Sequence, residues 1–132
     1  MRTFHLEVVT PDGMCYDSQI ESLLVRTIDG DVEFLAGHID YMAALGTGKA
    51  RIKVEGRDRY ASVSGGFVTV SGGEVKLVAI TFEFAEDIDL DRAKVAAEKA
   101  RETIASSKDD KAAKLAEAKL KRALNRIAVA GK

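Results

Sequence analysis

Basic side chains gather in the last third of the chain at a spacing that suits anion binding. Arg122 and Arg126 are i,i+4 neighbours on a predicted helix, so their guanidinium groups can converge on one anion. Arg92 and Lys99 share one face of the preceding helix. At about 100° per residue, the basic set of the second helix falls opposite its apolar stripe. That set comprises Lys111, Lys119, Arg122 and Arg126.

Two interpretations of these basic residues remain open. They form a solvated helix face, or arginines from both helices clamp a polyphosphate or an acidic protein surface. Signals for an enzyme are absent: two histidines and one cysteine cannot build a zinc site of ordinary spacing, and no nucleophile motif occurs. The stretch Ser64-Gly65-Gly66 lacks the Gly-Lys-Ser/Thr of a phosphate-binding loop.

The sequence after Ile88 predicts two helices, which carry the basic residues. Asp89 suits the N-cap of the first, and Asp91 adds negative charge to its first turn. A break at 106–109 precedes the second helix, which Asp109 or Asp110 caps. So short a loop predicts an antiparallel hairpin. The predicted apolar stripes are Leu90, Ala93, Ala96, Ala97, Ala100 and Ile104, then Ala113, Ala116, Leu120, Leu124 and Ile127.

Because these stripes are mostly alanine, they bury little apolar area, and the hairpin is marginal on its own. We therefore expect it to depend on the preceding domain, a ligand or a partner, which makes it a movable element.

Before Ile88 the chain is divided by glycine into short alternating runs, which favours β-structure. Pro11-Asp12-Gly13 predicts a tight turn. We interpret Gly65-Gly66 and Gly72-Gly73 as hairpin turns, Cys15 as a half-buried strand residue and His38 as a structural histidine. The predicted fold class is α+β: an N-terminal antiparallel β-sandwich over residues 1–86, followed by a C-terminal antiparallel two-helix hairpin over 87–132.

The charge is distributed unevenly. Residues 1–87 carry eight basic and fourteen acidic side chains, whereas residues 88–132 carry twelve and seven, so the two parts have net charges of -6 and +5. No apolar run reaches the length of a membrane span, and no signal peptide is recognisable. Together with the single cysteine, the lack of a signal peptide predicts that the protein resides in a reducing cytoplasm.

Over nearly its whole length the chain resembles the epsilon subunit of the bacterial F-type ATP synthase. The resemblance rests on the order and spacing of four segments. They are the opening Leu6-Glu7-Val8-Val9-Thr10-Pro11-Asp12-Gly13, then Gly37-His38, then Val63-Ser64-Gly65-Gly66-Phe67-Val68, and the junction Ala85-Glu86-Asp87-Ile88-Asp89 with Arg92-Ala93.

The resemblance implies a non-catalytic rotor subunit that couples ion-driven rotation to ATP synthesis. Its implied partners are the gamma subunit, the c-ring and, when the helices extend and inhibit ATP hydrolysis, the alpha and beta subunits. No nucleic acid and no direct membrane span are implied. The implied place is the cytoplasmic face of the bacterial plasma membrane, as a peripheral subunit.

The resemblance also implies a regulatory ligand, ATP, alone or with Mg²⁺. The family's nucleotide motif is complete in this chain as Ile88-Asp89-Leu90-Asp91-Arg92-Ala93. Ile88, Asp89 and Ala93 would contact the adenine side, with Glu83 near the base. Arg92, Arg122 and Arg126 would meet the phosphates. The site is non-catalytic, and no metal ligands are expected.

The chain departs from the family at two positions that matter here. His38 follows Ala36-Gly37 without the family's proline, which predicts a more flexible loop. Lys99 stands where the family has an arginine, and this predicts weaker phosphate binding because lysine cannot bind bidentately. Two alternatives remain: a free-standing ATP-binding sensor, and a nucleic-acid-binding helix, for which the tail lacks aromatic residues.

Overall fold

A computed structural model describes residues 2–131 of the chain. It comprises two compact units, Met1–Phe84 and Ala85–Lys132, each with its own packing. The first is built from eight strands: β1 Phe4–Thr10, β2 Gly13–Ile20, β3 Ser22–Thr27, β4 Gly30–Leu35, β5 Tyr41–Ala44, β6 Gly48–Val54, β7 Arg57–Ser71 and β8 Glu74–Phe84.

The strands form a β-sandwich because the long strand β7 belongs to two layers. Its first half pairs with β6, which continues through β3 to β4. Its second half pairs with β5, and β8 pairs with it from Ala61 to Ser71. Beyond β8 the sheet continues through β1 to the edge strand β2. A strand that changes layer at a bend is a common way to build a sandwich corner.

The core lies between the inner faces of these layers. Alternation along β1 and β6 sends every second residue inward, and Leu6, Val8 and Ile52 are almost completely buried. Leu23, Phe34 and Leu77 join them from other strands. The alternating pattern in the sequence therefore has the expected cause. One face of each of these strands lies toward the core, and the other lies toward solvent.

The interpretation of Gly65 and Gly66 as a hairpin turn is wrong. Both lie inside β7, where they take φ values of +72° and +94°. Pairing with β8 continues on either side, with Ser64 opposite Thr81 and Gly66 opposite Ala79. Only glycine takes these positive φ values without strain, and here that freedom bends a strand instead of reversing the chain.

The structure confirms one further expectation for the β-sandwich and corrects others. Gly72-Gly73 is a two-residue turn between β7 and β8, with φ positive at both residues. The strand β1 pairs with β8 in parallel, so the sheet is not wholly antiparallel. Cys15 lies on a strand as predicted, but its side chain is exposed rather than half-buried.

His38 is a half-buried histidine with local partners. Its Nδ1 lies 2.8 Å from the carbonyl oxygen of Ile39. Its ring also packs edge-on against Phe34 and near Tyr41. This agrees with the predicted structural role.

The second unit begins with a short 3-10 turn, Ala85–Asp87, and continues as α1 Leu90–Ser106 and α2 Asp110–Ala130. The Asp89 carboxylate caps α1 by accepting a hydrogen bond from the backbone N–H of Arg92 at 3.1 Å. The Asp109 carboxylate caps α2 through the N–H of Lys111 at 3.0 Å. Three residues, 107–109, connect the helices, which pack as the predicted hairpin.

The predicted apolar stripe of α2 is only partly correct. Leu124 is 40% exposed, whereas Ala116 and Ala123 are buried. On α1 the predicted Ala93, Ala97 and Ala100 are buried, but the predicted Leu90 is exposed. The seam therefore follows the smallest side chains instead of the most apolar ones, because alanine lets two helix backbones approach closely.

Candidate functional site

A groove of about 490 Å³ runs between the two helices of the hairpin. This volume falls within the range of small-ligand sites in proteins. Four residues of α1 line it: Ala96, Lys99, Ala100 and Thr103. Seven residues of α2 line the opposite wall: Ala112, Leu115, Ala116, Lys119, Arg122, Ala123 and Arg126.

The groove exists because alanine and long basic side chains alternate along α2. At about 100° per residue, Ala112, Ala116 and Ala123 fall within one narrow sector of the helix. Arg122 and Arg126 fall in the adjoining sector, where their side chains wall the groove. The alanines supply an apolar floor, and the basic groups supply a polar rim.

This arrangement corrects the predicted placement of the basic face. Lys119, Arg122 and Arg126 were expected opposite the apolar stripe, but they border the alanine seam. The error came from including leucines such as Leu124 in the stripe, which moved its centre away from the buried Ala116 and Ala123. Lys111, which was grouped with them, is exposed and does not line the groove.

The charge of the groove lining is entirely positive. Its ionisable residues are Lys99, Lys119, Arg122 and Arg126, and no Asp or Glu lines it. Within residues 2–131, the side chains of Lys99, Lys119 and Arg122 make no hydrogen bond or ion pair. Like charges three and four residues apart on a helix repel each other. An anion in the groove would relieve that repulsion.

The start of α1 holds the residues that were predicted to meet adenine. Asp89 is exposed and caps the helix, Ala93 is buried, and Ile88 is half-buried with its N–H donating to the carbonyl of Ala85 at 3.3 Å. Arg92 is exposed at the same end. Capping fixes the direction of the Asp89 carboxylate, because one oxygen is held by the helix.

Six of the seven predicted site residues belong to the helical unit. In an antiparallel hairpin, residues equally distant from the loop lie at similar heights. Arg122 and Arg126 therefore stand level with the first turns of α1, which carry Arg92 and Ala93. The seventh residue, Glu83, lies in the other unit, half-buried on β8 and opposite Ser62 in the sheet register.

Two of the polar residues that line the groove were given no role in the sequence analysis. Thr103 was not considered, and its hydroxyl donates to the carbonyl of Lys99 at 3.0 Å. Lys119 was placed on the basic face without a function. Its spacing of three residues from Arg122 was the available signal, since such neighbours share a helix face.

Comparison with known families identifies the group to which the chain belongs. A sequence model described as the ATP synthase delta/epsilon chain β-sandwich domain matches residues 3–85, and the long α-helix domain of the same chains matches residues 86–131. The chain belongs to the delta/epsilon family of ATP synthase chains. It is thus a non-catalytic subunit of that complex, as predicted.

Relatives of this epsilon-type chain match it from end to end. The ATP synthase epsilon chain of Bacillus subtilis is 45% identical over 132 residues and is covered completely, as is this chain. The epsilon chain of Bacillus velezensis is 42% identical over 131 residues, with 99% of each chain covered.

Solved structures share the fold. A chain of the Euglena gracilis mitochondrial ATP synthase, seen by cryo-EM with its c-ring, has a TM-score of 0.83 at 25% identity, covering 96% of this chain and 80% of that one. A chain of the Tetrahymena thermophila mitochondrial ATP synthase central stalk and c-ring has a TM-score of 0.62 at 13% identity, covering 98% and 95%. The second comparison concerns the fold alone.

Two further findings concern residues 2–131. Neither helix is long and apolar enough to cross a membrane. In the same part of the chain, no group of three or more His, Cys, Asp or Glu side chains is placed to hold a metal ion.

Proposed function

We propose that this chain is a central-stalk subunit of its ATP synthase, whose helical hairpin binds ATP as a regulatory ligand and inhibits ATP hydrolysis when it opens. The observation that carries the proposal is the groove between α1 and α2, with an alanine floor and four basic side chains. A basic groove of this size suits the phosphates of a nucleotide whose base lies at the start of α1.

The predicted motif residues have distinct roles in this proposal. Arg122 and Arg126 neutralise the phosphates from the wall of α2, and Arg92 meets them from the start of α1. Ile88, Asp89 and Ala93 contact the adenine side, because small Ala93 leaves room for a ring. Titration with and without Mg²⁺ decides whether ATP binding requires the ion.

Binding energy is sufficient to control such an element. A ligand at one hundred times its dissociation constant stabilises the state that binds it by about 2.7 kcal/mol. A hairpin joined by an alanine seam buries little apolar area, so its closed and open forms differ little in free energy. We infer that ATP keeps the helices together and that its loss lets them separate.

Family membership and charge support the proposed partners. The Euglena gracilis neighbour comes from an assembly that contains a c-ring. We infer that the β-sandwich binds the gamma subunit and the c-ring of a membrane-associated complex, on the cytoplasmic face of the bacterial plasma membrane. The segment 88–132, with net charge +5, would meet acidic surfaces of the alpha and beta subunits when it extends.

Calorimetric titration of the full-length chain with ATP tests the nucleotide site. We expect Arg122→Ala and Arg126→Ala each to weaken binding about tenfold or more, since each removes a charged hydrogen-bond donor. Arg101→Ala is the matched control, because Arg101 is an exposed arginine of α1 outside the groove. Equal effects of all three substitutions would show that ATP does not bind in the groove.

A further inference from the structure

Lys119 stands on the groove wall without an assigned role. It belongs to the lining of the groove, between the buried alanines Ala116 and Ala123 of the seam. Within residues 2–131 its ammonium group makes no ion pair or hydrogen bond. Three residues farther along α2 is Arg122, so two positive charges share one face of the helix at a cost in free energy.

A second lysine faces Lys119 across the groove. Lys119 is nine residues past the start of α2, and Lys99 is seven residues before the end of α1. In an antiparallel hairpin, with a rise of 1.5 Å per residue, these positions lie within about 3 Å of the same height. Both residues line the groove. The two lysines therefore form a second level of positive charge, nearer to the loop than the arginines.

The two levels are separated along the groove. From Lys119 to Arg126 the helix advances by about 10 Å. Cations spread over this length suit a linear chain of phosphates better than a single phosphate group. Ile88 and Asp89, at the apolar end of the motif, precede α1 and lie farther from the loop than the arginines. A nucleotide whose base lies at that end extends its phosphates past Arg126 and Arg122 toward Lys99 and Lys119.

We propose that Lys119 is a further phosphate-binding residue, which together with Lys99 holds the terminal phosphate of a bound nucleoside triphosphate. The inference rests on the proposed ATP site and adds a residue to it. The terminal phosphate carries the largest negative charge of the three phosphate groups. The ammonium group of a lysine has three donors and binds this phosphate as a point charge.

The test compares ATP with ADP on the full-length chain by calorimetry. Lys119→Ala weakens ATP binding about tenfold and ADP binding less than twofold, because ADP lacks the terminal phosphate. Lys119→Arg keeps the charge and retains ATP affinity within about threefold. Lys121→Ala is the control, since Lys121 is an exposed lysine of α2 outside the groove, with the same charge. Circular dichroism verifies that each variant keeps its helices.

Each outcome separates this inference from the proposed function. If Lys119→Ala behaves like Lys121→Ala while Arg122→Ala loses ATP, the ATP site stands and the role of Lys119 is wrong. If Lys119→Ala weakens ATP and ADP equally, its contact is not with the terminal phosphate, and the inference is overturned. If the wild-type chain binds no ATP, the proposed site fails, and the inference fails with it.

Discussion

His5 joins three strands of the sandwich through its two ring nitrogens. Nε2 contacts the Asp17 carboxylate on β2, and Nδ1 lies 2.8 Å from a carboxylate oxygen of Glu74 on β8. The hydrogen bond to Asp17, and after it the one to Glu74, raises the pKa of His5 above its ordinary value of 6.5. Only the protonated ring donates from both nitrogens, so protonation keeps both bonds.

This geometry predicts that stability falls as pH rises. Because the pKa of His5 is higher in the folded chain than in the unfolded one, its contribution is fully present below 6.5 and is lost as pH passes the raised value. Urea midpoints measured between about pH 5.5 and 8.5 should decrease with pH. In His5→Gln this decrease should be smaller. A wild-type midpoint that stays constant over that interval would contradict the prediction.

At Gly66 we predict that a single added methyl group has a large effect on the stability of the β-sandwich. A Cβ at this position would lie 1.8 Å from the carbonyl oxygen of Val78, within the backbone of β8. We expect Gly66→Ala to destabilise the sandwich by more than about 3 kcal/mol. Gly56→Ala is the control, since Gly56 also has a positive φ, of +75°, but nothing lies within 4 Å of its added Cβ.

That control should cost only about 1 kcal/mol, the strain of the backbone conformation by itself. Urea unfolding of both variants gives the comparison. Similar losses for the two would show that β7 and β8 move apart to accept the methyl group, and that the close approach at Gly66 is not required.

At the scale of the helices, Asp89 combines two roles that can be separated. Its carboxylate caps α1 through the N–H of Arg92, and the proposed site gives it a contact with the nucleotide. Serine caps a helix about as well as aspartate but has a shorter side chain. We expect Asp89→Ala to destabilise the helix by about 1 kcal/mol and Asp89→Ser to have little effect on it.

Both Asp89 variants should nevertheless lose ATP affinity, by about fivefold or more, if the carboxylate reaches the ligand. Thermal melting followed by circular dichroism measures the cap, and calorimetry measures binding. Unchanged affinity in Asp89→Ser would reduce Asp89 to a helix cap.

The helical hairpin was more predictable from the sequence than the strands. Asp89 and Asp109 are local signals: a capping side chain acts on backbone groups two or three residues away. The strand β2 has no such signal, because most of its side chains are exposed and the alternation is lost. The glycines inside β7 mimic a turn, since the same positive φ serves a turn and a bend.

Of the seven predicted site residues, only Arg122 and Arg126 line the groove, and their role in binding ATP stays a prediction. The spacing of Arg122 and Arg126 was enough to place both on one face. Which face meets α1 depends on how closely two backbones approach, and this favoured Ala116 and Ala123 over Leu124. Packing between distant segments decides that choice, so helical periodicity alone assigned the stripe incorrectly.

At the scale of the whole chain, the family models divide the sequence where its charge changes sign. The sandwich model ends at residue 85 and the helical model begins at residue 86. The acidic part of the chain ends within two residues of that boundary. Opposite net charges allow the two parts to serve partners of different chemistry within one complex.

The proposed inhibition predicts the result of removing the helices. An assembled ATP synthase whose epsilon-type chain ends at Asp87 should hydrolyse ATP faster than the enzyme with the full-length chain, because no helix can extend toward the alpha and beta subunits. Retention of the shortened chain in the purified complex is the control for assembly. In the full-length enzyme, rising ATP should relieve inhibition, whereas the shortened enzyme should lack that response. Equal rates with and without residues 88–132, at every ATP concentration, would exclude inhibition by the helices.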